Sequence, residues 1–175
     1  MKRWLLGVLC FLAGVLVVPA AIYVYLDLGR PPVAVSDGAF PMEKTVVHKI
    51  LGARIDKEVE TVPMQPTDAA LIAGAGTYKQ QCAFCHGLPG KSSQLSRNMY
   101  PSIPQLWMSH RAGVVGVSDD PSGETYWKIK NGIRLTGMPS YKNILTEEQM
   151  WQVSLLLSSA AKPLPPDASA TLAGR

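Results

Sequence analysis

No charged residue occurs between Trp4 and Leu26, a run of 23 positions. As a helix rising ~1.5 Å per residue, that run spans roughly 34 Å, enough for a hydrocarbon core of about 30 Å. Lys2 and Arg3 precede it, and Asp27 and Arg30 follow it. A basic flank stays on the cytoplasmic side, which sends the rest of the chain outward. Trp4, Tyr23 and Tyr25 stand near the two ends, where interfacial aromatics belong. A cleaved signal peptide is the competing reading, with Leu5 to Val18 as its apolar region and Val18-Pro19-Ala20 as its cleavage site. Apolar residues continue beyond that site through Ile22, Tyr23, Val24, Tyr25 and Leu26, which favours an anchor. Residues 1–28 are therefore expected to be a transmembrane anchor or an uncleaved signal. Either way, the remainder of the chain lies on the outer, oxidising side of a membrane.

This strip explains the composition. Hydrophobic residues are 47% of the 175, and residues 1–28 hold 22 of them. The other 147 residues fall to roughly 41% hydrophobic, slightly low for a globular domain. One greasy segment and a modest remainder exclude a polytopic membrane protein, a fibrous chain and a disulfide-dense scaffold. The net charge of +4 comes without any basic run longer than Lys2-Arg3, so nucleic acid is not an expected partner.

Residues 29–68 read as a linker. Pro31, Pro32 and Pro41 mark its first part, and Pro63 and Pro66 close it. Between them Val47, Ile50, Leu51 and Ile55 recur at helical spacing with charges interposed. Such a helix lies on the membrane or a partner, or packs on the protein's own domain; the spacing does not choose.

Three cysteines are present, Cys10, Cys82 and Cys85. Cys10 reads as a thiol buried in the apolar helix. The other two belong to Cys82-Ala83-Phe84-Cys85-His86, the Cys-x-x-Cys-His pattern of c-type haem attachment. Two thiols on neighbouring turns meet the two vinyl groups, and the adjacent histidine reaches the iron. A thioredoxin-like pair needs a preceding strand. Here Ala69 to Gln80 has a helical pattern instead, with Thr67 or Asp68 as cap. A zinc site needs two more ligands, and His48 and His110 lie in no paired motif.

Four further motifs accompany this one in order. The first helix carries Gly74-x-x-x-Tyr78-x-x-x-Cys82. Then come Tyr126-Trp127-Lys128-Ile129-Lys130-Asn131-Gly132-Ile133-Arg134, Gly137-Met138-Pro139, and Leu145-Thr146-Glu147-Glu148-Gln149-Met150-Trp151. With these motifs, the stretch from about Ala69 to Lys162 resembles a class I c-type cytochrome domain. It is particularly similar to the single-haem domains of cbb-type oxidase subunits and periplasmic dehydrogenase cytochrome subunits. The resemblance implies an all-α cytochrome c fold around one covalently bound haem c, here preceded by a single N-terminal transmembrane helix. It also implies that the first and last helices cross closely, with Gly74 providing the gap and Trp151 a large packing partner. Independently, Thr146 and Gln149 form a capping-box pattern before an apolar helix that ends near Ala161, and Pro163 stops it. Residues 163–175 are expected to be a flexible tail.

Met138 is the favoured sixth ligand, 52 residues after His86 and held in a loop by Gly137 and Pro139. Met99, Met108 and Met150 are weaker candidates, as is His110. His86 should donate its other ring proton to a backbone carbonyl. The resemblance implies a proline carbonyl, and Pro89, Pro101 and Pro104 are all available. Trp127 and Ile129 read as pocket or core residues. Arg134 reads equally as a propionate partner or a solvated charge. Nine basic against five acidic side chains in residues 69–162 suit an acidic partner or scattered solvation.

The expected cofactor-binding residues are thus Cys82, Cys85, His86 and Met138, with His86 and Met138 as the metal ligands and no catalytic residue. The expected protein is not an enzyme. It is a one-electron carrier in a bacterial inner membrane, single-pass, with a cytoplasmic N-terminus and a periplasmic haem domain. Its partners would be membrane or periplasmic redox proteins: an oxidase, a dehydrogenase or a quinol-oxidising complex. The rival readings are a haem sensor or peroxidase-like protein with an open iron position, and a structural haem subunit of an oxidoreductase complex.

Overall fold

A computed structural model of the chain describes residues 2–110 and 113–173. Arg111, one of the nine basic residues of the 69–162 stretch, lies outside the described residues. The chain falls into two compact units, residues 1–44 and 45–175.

The first unit is dominated by α1 (Lys2–Leu28), which contains Pro19. Its most apolar 18-residue window has a mean hydropathy of 2.7, and the helix is long and apolar enough to cross a membrane. The segment after it is organised by carboxylates. Asp37 accepts backbone N–H bonds from Val33 and Ala34, both at 2.8 Å. These bonds hold its carboxyl below the usual aspartate value. Phe40 donates its N–H to Glu43 at 2.8 Å, at the start of α2 (Glu43–Glu58).

The second unit is helical. Its elements are most of α2, then α3 (Asp68–Gln81), α4 (Ala83–His86), α5 (Ser122–Asn131), α6 (Glu147–Ser158) and α7 (Pro166–Ala173). A 3-10 turn covers Ser96–Asn98, and a small antiparallel pair joins β1 (Ser109–His110) to β2 (Val114–Val115). The fold is all-α, as expected, with this hairpin as a minor addition.

Thr67 caps α3 by accepting the Ala70 N–H at 3.3 Å. The buried positions of α3 are Ala70, Leu71, Gly74, Ala75 and Tyr78, a stripe of helical period. Thr146 and Gln149 close a reciprocal capping box on α6. Every residue from Met150 to Leu157 is buried, because α3 and α5 both pack against this helix. An all-round apolar helix has to be enclosed in this way. At the crossing, a Cβ on Gly74 would collide with the Gln152 carbonyl and lie 2.8 Å from its carbon. The close approach of first and last cytochrome helices is therefore present. Trp151 packs elsewhere: its ring stacks on Tyr126 of α5 at 3.9 Å and an angle of 6°.

Two expectations are corrected. Residues 163–175 are not a flexible tail over the described part. Pro166–Ala173 form α7, which packs on α3 and buries Ala168 and Leu172. A proline at the first helical position suits this start, and the i, i+4 apolar pair supplies the burial. The compact unit that holds the cleft also begins well before residue 69. Ile55 of α2 is buried, and the residues after it lie along α5.

Candidate functional site

The backbone around Cys82-Ala83-Phe84-Cys85-His86 is set by two helix ends. Cys82 ends α3, its N–H bonded to the Tyr78 carbonyl at 2.8 Å. Its own carbonyl then accepts from Cys85 at 3.1 Å and from His86 at 2.9 Å, which makes the single turn α4. Gly87 ends that turn at φ 76°, a left-handed conformation. A Cβ there would lie 2.7 Å from the Lys91 carbonyl and 2.8 Å from Gln105 Oε1. The buried Tyr78 hydroxyl donates to the Gly87 carbonyl at 2.8 Å and ties α3 to this corner.

A loop crosses this corner. His86 Nδ1 donates to the Pro104 carbonyl at 2.9 Å, and Leu106 N–H reaches the His86 carbonyl at 3.2 Å. Of the three prolines open on sequence grounds, Pro104 is the partner. Gln105, between them, was not singled out from the sequence. Its amide donates to the Cys85 and Ile103 carbonyls at 3.2 Å each, and its oxygen accepts from Ser93 N–H at 2.6 Å.

Burial lowers the pKa of His86, partly offset by the bond to Pro104. The ring is therefore neutral, and with Nδ1 protonated its Nε2 keeps a free lone pair. Burial, and secondarily the charge of Cys85, pushes the Cys82 thiol up to about 12. A thiol so reluctant to ionise is poorly suited to disulfide exchange or zinc binding. Burial, then Cys82 and Cys85, likewise raises Tyr141, whose hydroxyl donates to the Gln81 carbonyl at 2.8 Å.

The Met138 loop hangs from the end of α5. Gly132 ends that helix at φ 67°, where a Cβ would lie 2.7 Å from the Pro139 carbon and the Ser140 nitrogen. Ile133 N–H bonds the Met138 carbonyl at 3.2 Å, and Met138 N–H bonds Thr136 Oγ1 at 3.1 Å. Ser140 Oγ donates to the Lys130 carbonyl at 2.6 Å, and Tyr141 N–H to that of Ile129 at 3.0 Å.

These parts line one cleft. Cys82, Cys85, His86 and Met138 all face it, with walls from Ile103, Pro104, Leu106, Ile129, Val153 and Leu157 among others. The other candidate ligands do not. Met150 is buried in the core, and Met108 is exposed. The Met99 methyl occupies the space above Gly137, outside the cleft lining. His110 sits on the hairpin, bonded to the Gly116 carbonyl. Ile129 is a cleft residue as expected, whereas Trp127 faces away and donates to Glu58 at 3.0 Å. Arg134 is exposed and takes no part in the lining. Of the nine basic residues, Lys128 is paired with Asp120 and Glu124, and Lys130 with Glu60 and Glu147.

Two thiols one turn apart, a neutral imidazole and a thioether on apolar walls suit a covalently attached haem. No cluster of three His, Cys, Asp or Glu side chains fit to hold a bare metal ion occurs among the described residues. The fold and the cleft define a c-type cytochrome domain. Residues 69–155 match the family described as cytochrome c oxidase, cbb3-type, subunit III, and form a c-type cytochrome domain resembling that of the cbb3 oxidase. No curated protein and no solved structure matches the chain. The domain makes this an electron-transfer haem protein, with haem c as the implied group.

Proposed function

We propose that the chain is a membrane-anchored monohaem cytochrome c that passes single electrons between membrane or periplasmic redox proteins. It serves as a shuttle or as a subunit of a respiratory complex, and it makes or breaks no substrate bond. Cys82 and Cys85 would carry the haem, and His86 and Met138 would hold its iron. The observation behind this reading is that these four residues share one apolar cleft, while Met99, Met108, Met150 and His110 lie outside it. When bound, the haem supplies a one-electron ferrous–ferric couple. Pro104 orients His86 and keeps its lone pair available. The Met138 thioether is a soft neutral donor that favours the ferrous state and raises the potential. The aliphatic walls exclude water and disfavour added charge. The α1 helix anchors the chain, with Lys2 and Arg3 on the cytoplasmic side and the haem domain in the periplasm. Confinement to the membrane raises the local concentration near membrane partners.

The full chain, isolated from membranes in detergent, tests this. The reading expects one haem per chain, a one-electron redox titration and no carbon monoxide binding to the ferrous protein. Stoichiometric carbon monoxide binding without ligand loss would identify an open iron position and overturn it.

A further inference from the structure

Helix α5 is held along two adjoining faces. On one, Tyr126 stacks on Trp151 and Ile129 lines the cleft. On the other lie residues 58–60, which precede the stretch matching the family at 69–155. They make contact on three successive turns. At the first, Gly123 leaves room for the Glu60 carbonyl, which a Cβ would strike while lying 2.8 Å from Val59 Cγ2. At the second, Trp127 Nε1 donates to Glu58 at 3.0 Å. At the third, Lys130 Nζ pairs with Glu60 at 2.7 Å. Positions 123, 127 and 130 follow the i, i+4, i+7 spacing of one helix face. This contact joins segments about 70 residues apart in sequence, and it ends on the residue whose carbonyl holds Ser140. The Met138 loop depends on that last turn through Ser140–Lys130 and Tyr141–Ile129, and the Ile133–Met138 bond closes it.

We propose that residues 58–60 clamp α5 from outside and thereby keep the Met138 loop in its ligating place, which makes Glu58 and Glu60 positioning residues. The inference rests on the reading of Met138 as an axial ligand. It gives the segment after the N-terminal helix a role beyond tethering, because displacing residues 58–60 loosens the sixth ligand.

The test is ligand exchange in the full-length ferric holoprotein. Imidazole is titrated at neutral pH and room temperature, and loss of the near-infrared methionine-to-iron band is followed. Glu58→Ala/Glu60→Ala should lower the imidazole concentration at half-displacement by about fivefold, the scale expected for two partly exposed polar contacts. Gly123→Ala, which pushes residues 59–60 off α5, should shift it the same way, and Lys130→Arg, which keeps the pair, should not. Unchanged half-displacement in both the double variant and Gly123→Ala would overturn the clamp, even if both melt at lower temperature. A wild-type protein with no methionine band would instead remove the Met138 reading, and the clamp with it.

Discussion

His86 Nδ1 lies 2.9 Å from the carbonyl oxygen of Pro104, and Gln105, the next residue, bonds back to the Cys85 carbonyl. The histidine proposed to bind the iron is thus aligned by one backbone contact, and that contact is held by a half-buried amide with three partners. Gln105→Ala removes all three and strands the Ser93 N–H. The expected loss is about 2 kcal/mol, or roughly 8–16 °C in Tm for a domain of this size. Thermal melting of the holoprotein checks it, and a change under about 3 °C would show that the loop holds Pro104 without Gln105.

The α3–α6 crossing makes a paired prediction. Gly74→Ala drives a methyl into the Gln152 carbonyl and should destabilise by about 1–3 kcal/mol. Gly76→Ala, two residues on, meets nothing within 4 Å. It should be neutral or stabilising by about 0.5–1 kcal/mol, since glycine is costly inside a helix. Denaturant unfolding of the two variants should move in opposite directions.

What the sequence reveals here is what is local. That Cys82, Cys85 and His86 share one turn at the cleft is readable because they are neighbours in sequence. Thr146 and Gln149 are readable because a capping box closes within four residues. The choice of Pro104 over Pro89 and Pro101 is not local. It depends on how the loop from Lys91 closes onto Gly87, with Gln105 bonding the Cys85 carbonyl from 20 residues away. Trp127 fits a pocket by type, yet its N–H is taken by Glu58 from outside the family stretch. The α7 helix is short and poor in large residues. Pro166 at its start, Asp167 in its first turn and the Ala168–Leu172 pair were its signals.

Those residues give a direct check. Leu172 is 1% exposed, so Leu172→Ala should cost about 3 kcal/mol through cavity formation. A flexible tail would tolerate the change, and an unaltered melting curve would return residues 163–175 to that description.

The clamp has a pH signature. Lys130 faces Glu60 from the linker, Glu147 from α6 and the Tyr126 ring of its own helix. The bond to Glu60 is the largest of the influences that raise its pKa above 10.5. A base raised on folding stabilises fully below its unfolded pKa and loses that contribution as pH climbs through the folded value. The melting gap between wild type and Lys130→Met should therefore hold steady from about pH 7 to pH 9.5 and close above about pH 10.5. A gap that closes between neutral pH and about pH 9 would contradict the assignment.

The central claim is that Met138 shares the iron with His86. The near-infrared methionine-to-ferric-iron band of the haem-loaded full chain addresses it most directly, compared across wild type, Met138→Ala and Met99→Ala. The band should be present in wild type and Met99→Ala. It should be absent in Met138→Ala, whose potential should fall and whose ferrous form should bind carbon monoxide. A band that survives in Met138→Ala, or that disappears only in Met99→Ala, would contradict the account.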